Sequence, residues 1–330
     1  MKKIEDLIGS DFNGVVSVSK DGKSIFKQAY GYADLPNKRP NNVDSIFEVA
    51  SGSKAFVATG IMKLIEEGKL GLDSRLGGLL DIDLKQISPE ITVRQLLNHT
   101  SGIPDYFDES VMDDMSELWA QFPCYLMRKP ADMLPTFIDK PMMYPAGEKF
   151  QYNNTGYAVL AMLIEKITGM DFDKYLTKLI FEPCGMNNTG YYELDRLPAN
   201  CSTAYIHDEE QDVYFTNIYS TNAKSDGAGG VYTTVGDIER FWQHFLAGDI
   251  VSKASVEAMT SVQAKDEDDD DIYGFGFWLD EDVPYFQGMD PGISFMTRRQ
   301  HNGLLTVIVS NFCNDVWEIN RNIEDLFQEL

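Results

Sequence analysis

The residue types best suited to chemistry lie at Ser51 and Lys54, where a hydroxyl and an amine are three positions apart. Apolar residues recur at steps of three and four over residues 55–65, and Gly68 is a plausible stop, which predicts a helix with one buried face. Residues i and i+3 share a helix face, so the two side chains are expected within hydrogen-bonding reach. A serine needs a neighbour to take its proton, and a lysine can do so when burial or nearby positive charge lowers its pKa. The pattern predicts an activated serine at a helix start, where free N–H groups favour incoming negative charge.

Such a short pattern also arises by chance, with Ser51 as a helix N-cap and Lys54 on a solvated face. A second polar pair, Tyr152 and Asn154, lies in a turn-prone segment before an apolar helix predicted over residues 158–167. A tyrosine there can relay protons, and an asparagine can hold a substrate amide or the lysine. The structural alternative is a buried tyrosine beside a helix-capping asparagine.

With S-x-x-K and Y-x-N in this order, the chain resembles the serine β-lactamase and penicillin-binding protein superfamily. Within it, the resemblance is to the branch of class C β-lactamases, DD-peptidases and related esterases, in which Y-x-N replaces S-D-N. Family-like blocks run over nearly the whole chain, at residues 14–18, 29–34, 47–73, 91–104, 181–186 and 227–232.

The resemblance implies roles for individual residues. Ser51 is expected to be the nucleophile, Lys54 and Tyr152 the proton-transfer pair, and Asn154 a substrate-positioning residue. Backbone N–H groups of Ser51 and Met289 are expected to form the oxyanion hole. The implied reaction is acyl transfer through a serine ester and then hydrolysis, without a cofactor. The substrate is expected to be a small-molecule ester, a β-lactam or a D-amino-acid peptide, with an esterase or D-amino-acid peptidase favoured over an efficient β-lactamase.

The third family motif, K-T-G or H-x-G, aligns with residues 286–294, where Phe286 replaces the lysine or histidine. Phe286, Gly288 and Met289 are therefore predicted substrate-binding positions. Because Phe286 supplies no cation, we expect weaker use of carboxylate-bearing substrates such as β-lactams. The same loss leaves a second interpretation open, a catalytically idle penicillin-binding or ligand-binding protein on this fold.

Two histidines offer alternative assignments. His301 begins a weak match to the third motif, but it falls between two β runs, where a hairpin turn is predicted. His99 stands in a capping sequence at a helix end, which favours a structural role over that of a base for the serine.

The two chain ends carry the predicted strands, at residues 14–19, 24–29, 273–279, 285–288, 293–298 and 304–310. A closing helix is predicted over residues 316–330. The resemblance implies an α/β (α+β) fold, with an antiparallel sheet built from both chain ends, flanking helices and a mostly helical subdomain. We expect a single β-lactamase-like domain over residues 1–330, with an α/β subdomain at 1–68 and 226–330 and a mostly helical subdomain at 69–225.

The 330 residues carry a formal net charge of −24. This charge argues against nucleic acid or an anionic membrane as a partner, and against anionic substrates unless a local cation offsets it. The acidic run at residues 266–271 predicts a solvated loop. A cation site there is the less favoured alternative, because the run lacks the spaced ligands and turn glycine of a calcium loop.

Four cysteines and four histidines show no metal-ligand spacing, so reduced thiols and no metal site are expected. No signal-peptide core and no apolar run of membrane-spanning length occurs in this sequence, and a cytoplasmic location is the expectation.

Overall fold

The computed structural model describes residues 3–108, 110–112, 115–267 and 270–328. The strands, in chain order, are β1 (Gly14–Lys20), β2 (Lys23–Tyr30), β3 (Tyr32–Asp34), β4 (Arg39–Pro40), β5 (Phe47–Glu48), β6 (Tyr205–Asp208), β7 (Val213–Thr216), β8 (Tyr232–Thr233), β9 (Ala264–Lys265), β10 (Ile272–Tyr273), β11 (Trp278–Asp280), β12 (Val283–Asp290), β13 (Ile293–Arg299) and β14 (Leu304–Ser310). The α-helices are α1 (Ser53–Glu66), α2 (Val93–Leu97), α3 (Ser116–Gln121), α4 (Leu134–Phe137), α5 (Asn154–Thr168), α6 (Phe172–Leu176), α7 (Val235–Ala247), α8 (Lys253–Met259) and α9 (Val316–Gln328). A 3₁₀ turn at Ala50–Gly52 joins β5 to α1.

The main sheet is antiparallel and has the strand order β2-β1-β14-β13-β12-β11-β10-β9. Strands from the beginning of the chain thus pair with strands from its end, with Val15 opposite Val309 in the β1–β14 ladder. The chain between these ends contributes most of the remaining helices and loops. The predicted α/β fold with a sheet built from both chain ends is confirmed.

Both faces of the sheet are covered. Helix α9 packs on one face, where Val316, Ile319 and Ile323 join Val16 and Ile308 in one apolar cluster. Helices α1 and α7 pack on the other face and share the main core with Phe295 and Val307. Within the described residues, no helix combines the length and the apolar character needed to cross a membrane.

Helix α1 is buried on nearly all sides, beyond the single buried face predicted for it. Its Gly60 lies so close to α6 that an added Cβ would stand 2.6 Å from Leu176 Cδ2. On the sheet side, the ring of Phe56 lies edge-on to the ring of Phe286. Tight packing on both sides holds the start of this helix in a fixed position.

The strand predicted over residues 273–279 is instead two short strands, β10 and β11, and the prediction is wrong. Gly276 has φ +84°, and an added Cβ there would stand 2.5 Å from Ala58 Cβ of α1. The apolar residues Phe275 and Phe277 are buried by this turn rather than by a straight strand. Strand β9 was not predicted, whereas β1, β2, β12, β13 and β14 lie where the sequence predicts strands. The His301–Gly303 segment forms the turn between β13 and β14.

Candidate active site

The chain bends sharply just before Ser51. Ala50 has φ +45°, a conformation that a residue with a side chain rarely adopts. Ser51 then lies in the 3₁₀ turn, and α1 begins at Ser53. The turn is pressed against the sheet, because an added Cβ on Gly52 would stand 2.9 Å from the ring of Phe295. Backbone strain of this kind persists where surrounding packing imposes it, and it leaves the Ser51 side chain on the wall of a cavity.

Lys54 is only 1% exposed, and its amine contacts Ser51 directly. Lys54 Nζ donates to Ser51 Oγ at 3.0 Å, to Asn154 Oδ1 at 2.8 Å and to the carbonyl oxygen of Ala228 at 2.9 Å. An ammonium group has three N–H donors, so these three acceptors match it. A proton can pass between Lys54 Nζ and Ser51 Oγ across one hydrogen bond.

Asn154 begins helix α5, and the preceding residue caps it. The side chain of Asn153 accepts from the backbone N–H of Gly156, so Asn153 is the N-cap. Asp105, from a distant loop, accepts from the N–H groups of Asn154 and Thr155 at 2.8 and 3.0 Å. Burial raises the pKa of Asp105 to about 6, although these hydrogen bonds oppose the shift. Asn153 and Asp105 together bind the N-terminus of α5, so the Asn154 side chain is directed to Lys54 and the cavity.

Tyr152 lies within an aromatic group beside the lysine. Its ring centroid is 4.8 Å from Lys54 Nζ, and the ring stacks on Trp278 with centroids 5.3 Å apart. The ring of His99 also lies 4.4 Å from the Tyr152 ring, centroid to centroid. Tyr152 also lines the cavity that contains Ser51. The predicted proton-transfer pair is thus brought together next to the serine.

His99 supports the segment that carries Tyr152 and Asn154. It is 1% exposed, and its Nδ1 accepts from the backbone N–H of Asn153 at 3.0 Å. Burial, and secondarily the charge of Lys54, lowers the pKa of His99 well below its usual value. A neutral imidazole is the form that can accept this hydrogen bond.

Gly288 allows strand β12 to lie against the serine. An added Cβ at this position would stand 2.4 Å from the carbonyl oxygen of Val49 and 2.7 Å from the backbone nitrogen of Ser51. Only a residue without a side chain permits this approach. Met289 follows directly and lines the same cavity, so the two residues predicted to supply oxyanion N–H groups are neighbours in space.

Phe286 is not brought into the cavity. It is 2% exposed, and its ring lies in the core among aromatic neighbours, which are Phe56, Phe241, Trp242, Phe277 and Phe295. A direct contact with substrate would require this ring to leave the core, so its position does not fit the substrate-binding role expected for it. Position 286 therefore still lacks the cationic side chain of the third family motif. The neighbouring Gln287 lines the cavity instead.

The cavity has a volume of about 710 Å³ and a markedly acidic wall. Asp226, Asp271 and Asp290 line it, whereas none of the described residues that line it is a lysine or an arginine. Sequence reasoning missed these carboxylates, because they are far apart in the chain and the acidic run was interpreted as a solvated loop. Two residues of that run, at 268–269, lie outside the described residues, but Asp271 reaches the cavity. The described part of the chain holds no group of three or more His, Cys, Asp or Glu side chains able to hold a metal ion.

Comparison with known proteins agrees with this geometry. The family model described as Beta-lactamase matches residues 3–316. A penicillin-binding protein of Bacillus subtilis (strain 168) is 32% identical over 287 residues, which are 83% of this chain and 60% of that protein. This chain therefore spans less than two thirds of the length of that relative.

Solved structures share the fold over nearly the whole chain. A penicillin-binding protein from Bacillus halodurans matches with a TM-score of 0.93 at 31% identity, covering 98% of this chain and 100% of the other. A D-amino acid amidase from Ochrobactrum anthropi matches with a TM-score of 0.78 at 22% identity, covering 99% of this chain and 96% of the other. This second likeness concerns the fold alone. The chain, with its serine and lysine in contact beside the Tyr152–Asn154 segment, belongs to the Beta-lactamase family.

Proposed function

We propose that this protein is a serine hydrolase that cleaves small esters or amides through a covalent acyl-enzyme on Ser51, of the class C β-lactamase, DD-peptidase and esterase type. The observation that carries the proposal is the 3.0 Å hydrogen bond between Lys54 Nζ and Ser51 Oγ at the wall of a large cavity. Burial of the lysine and its hydrogen bonds to Asn154 and Ala228 hold its nitrogen next to Ser51 Oγ. Penicillin-binding relatives over most of the chain favour the same chemistry.

The proposed reaction has two steps. As a neutral amine, Lys54 can keep its two N–H donors on Asn154 and Ala228 and present its lone pair to Ser51 Oγ. In this form Lys54, coupled to Tyr152, takes the proton of Ser51 Oγ as this oxygen attacks the substrate carbonyl. The backbone N–H groups of Ser51 and Met289 hold the oxyanion. The proton then passes to the leaving group as the bond between this group and the carbonyl carbon breaks. In the second step, water attacks the ester carbonyl and gives its proton to the same lysine–tyrosine pair. The proton returns to Ser51 Oγ as the ester bond breaks, which releases the acid and restores the serine. Asn154 holds the lysine and positions the substrate.

A fluorophosphonate probe and an activated ester test this proposal together. We expect the probe to modify Ser51, identified by peptide mapping, and we expect p-nitrophenyl acetate to give a burst of p-nitrophenol followed by steady turnover. Ser51→Ala should lose both, whereas Ser53→Ala, which removes a buried hydroxyl bonded to Tyr191, should keep Ser51 labelled. Labelling at another residue, or a burst that survives Ser51→Ala, would remove the nucleophile assignment.

The alternative is a ligand-binding protein without turnover on the same fold. It predicts neither a burst nor a steady phase, although slow labelling of the serine would still be compatible with it. The absence of a cation at Phe286 is the specific feature that keeps this alternative open.

A further inference from the structure

The carbonyl oxygen of Ala228, which accepts one of the hydrogen bonds of Lys54, belongs to an irregular segment of the chain. This segment, residues 225–230, comes shortly before β8. A neutral lysine amine has only two N–H donors, and its lone pair points away from both. The direction of this lone pair toward Ser51 therefore depends on where the Ala228 carbonyl is held.

Asp226 fixes the shape of this segment. Its Oδ1 accepts from the backbone N–H of Ala228 at 2.9 Å, which forms a tight turn next to the carbonyl that binds the lysine. Ser225 closes the same turn, because its Oγ accepts from the N–H of Gly227 at 3.0 Å and donates to the carbonyl oxygen of Gly229. The side chains of Ser225 and Asp226 are buried. An aspartate that binds the N–H two residues later stabilises a turn in this way.

The turn also packs closely against helix α5. Gly227 has φ +105°, and an added Cβ there would stand 2.5 Å from Ala161 Cβ and 3.1 Å from the carbonyl oxygen of Tyr157. The same helix begins with Asn154, whose Oδ1 is the other acceptor of the lysine amine. A shift of the turn along α5 would therefore change the distance between the two acceptors that orient the amine.

Tyr106 ties the Asp226 carboxylate to the beginning of α5. Its buried phenol hydrogen-bonds to this carboxylate, and burial raises the pKa of the phenol well above its usual value, so the phenol is the donor. The backbone N–H of Tyr106 donates to Thr155 Oγ1 at 2.9 Å, in the first turn of the helix. Asp226 thus binds both the turn that contains Ala228 and a residue fixed on α5.

The charge of Asp226 acts on the lysine as well. Burial raises the pKa of the Asp226 carboxyl, and its hydrogen bonds and the positive charge of Lys54 oppose this shift. Charge interactions are mutual, so the ionised carboxylate favours the protonated form of Lys54. Proton transfer from Ser51 creates this form, and the carboxylate therefore stabilises the product of that transfer.

Other titratable groups also face the lysine amine. Asp105 is a buried carboxylate that interacts with the same charge, but it accepts from N–H groups at the start of α5 rather than from the turn. His99, Tyr152 and Tyr157 lie around the amine as well. These groups are unchanged when Asp226 alone is replaced, so a difference in pH dependence reports on Asp226.

We infer that Asp226 is a positioning residue of the proposed hydrolase. It directs the lone pair of Lys54 to Ser51 by fixing the Ala228 carbonyl, and it stabilises the lysine ammonium once the proton has moved. This inference rests on the proposed function. It gives an aspartate outside the S-x-x-K and Y-x-N segments a part in the control of proton transfer.

Asp226→Asn tests the charge while keeping the turn. The amide oxygen can still accept from the N–H of Ala228, whereas the negative charge is lost. Loss of the charge makes the lysine easier to deprotonate, so the rising limb of kcat/KM against pH for p-nitrophenyl acetate should move to lower pH by about 0.5 to 1 unit. Asp226→Ser, which also keeps an oxygen acceptor for the turn, gives the same test if Asp226→Asn does not fold.

Asp226→Ala tests the turn, because it removes the acceptor as well as the charge. Misplacement of a reacting group by about 1 Å costs about 10² in rate, and we expect the burst rate constant and kcat/KM to fall by about 10 to 10². Asp237→Asn is the matched control, because Asp237 is a buried carboxylate that accepts from the backbone N–H of Asn188 outside the cavity. It should leave the pH profile in place.

The pH profile separates a positioning role from a structural one. A merely structural Asp226 predicts a lower melting temperature with an unmoved profile. A profile of Asp226→Asn that superimposes on that of the parent would overturn the inference, as would parent-like kcat/KM in Asp226→Ala. Either result leaves the hydrolase function standing, because it concerns the variants alone. Failure of Ser51 labelling and of all turnover in the parent protein would instead refute the proposed function.

Discussion

Replacing Gly288 by alanine tests whether the close approach of β12 to Ser51 is needed for catalysis. The new Cβ would stand 2.4 Å from the carbonyl oxygen of Val49 and 2.7 Å from the nitrogen of Ser51, and both are backbone atoms. Neither can rotate away as a side chain can. The strand and the Ser51 turn must therefore move apart, which separates the two N–H groups proposed to hold the oxyanion.

The size of the effect follows from the value of one oxyanion donor. Loss of such a donor lowers kcat by about 10² to 10³, which corresponds to about 2.7 to 4 kcal/mol in the transition state. Overpacking the same site should lower the free energy of unfolding by about 1 to 3 kcal/mol. We expect a folded protein with a lower melting temperature, little change in KM and a loss in kcat of this order.

The assay is p-nitrophenyl ester hydrolysis on protein whose fold is verified by circular dichroism and thermal melting. Gly236→Ala is the matched control, because an added Cβ there meets its nearest atoms at 3.8 Å, an ordinary contact. It should keep the parent rate. If Gly288→Ala is folded and turns over at the parent rate, the oxyanion site does not involve this approach of β12 to Ser51.

Three further predictions concern the residues around the serine. Tyr152→Phe should lower kcat by about 10² to 10⁴ through lost proton transfer, with an almost unchanged melting temperature, and parent-like turnover would make the tyrosine structural. Burial raises the pKa of Glu48 from 4.5 to about 8, so between these pH values the folded state holds a proton that the unfolded state has lost, and stability falls progressively as the pH rises to about 8. Between pH 5 and pH 9, the free energy of unfolding should therefore fall by about 3 to 5 kcal/mol more in the parent protein than in Glu48→Gln. Urea titration at each pH measures this difference, and parallel plots of unfolding free energy against pH would contradict it. Phe286→Lys, which introduces the cation of the family motif, should lower the melting temperature strongly, because it buries a charge among aromatic rings. A stable variant with faster nitrocefin hydrolysis would show that this side chain reaches the substrate.

The sequence by itself identified the residues that meet at the serine. Ser51 and Lys54 are close in the chain, so the spacing predicts their contact, although Ser51 lies in the 3₁₀ turn before α1 rather than in the helix itself. The strands at the two chain ends were also readable, because alternation and turn residues are local signals. The family resemblance then linked Tyr152 and Asn154 to that pair.

Local signals could not assign the residues whose roles depend on distant neighbours. Asn153 caps α5 while Asn154 reaches Lys54, a division set by Asp105 binding the helix N-terminus from another loop. Phe286 aligned with a family cation, yet the direction of its side chain depends on how β12 packs over α1.

The electrostatic character of the cavity was decided only by the tertiary structure. Asp226, Asp271 and Asp290 are separated along the chain, and each alone is an ordinary acidic residue. Folding brings them to the cavity that contains Ser51, where Asp226 is buried, Asp290 is half-buried and Asp271 is exposed. The sequence determined which atoms can react, whereas long-range packing determined the charge that a substrate meets there, because electrostatic energy depends on distance in space rather than along the chain.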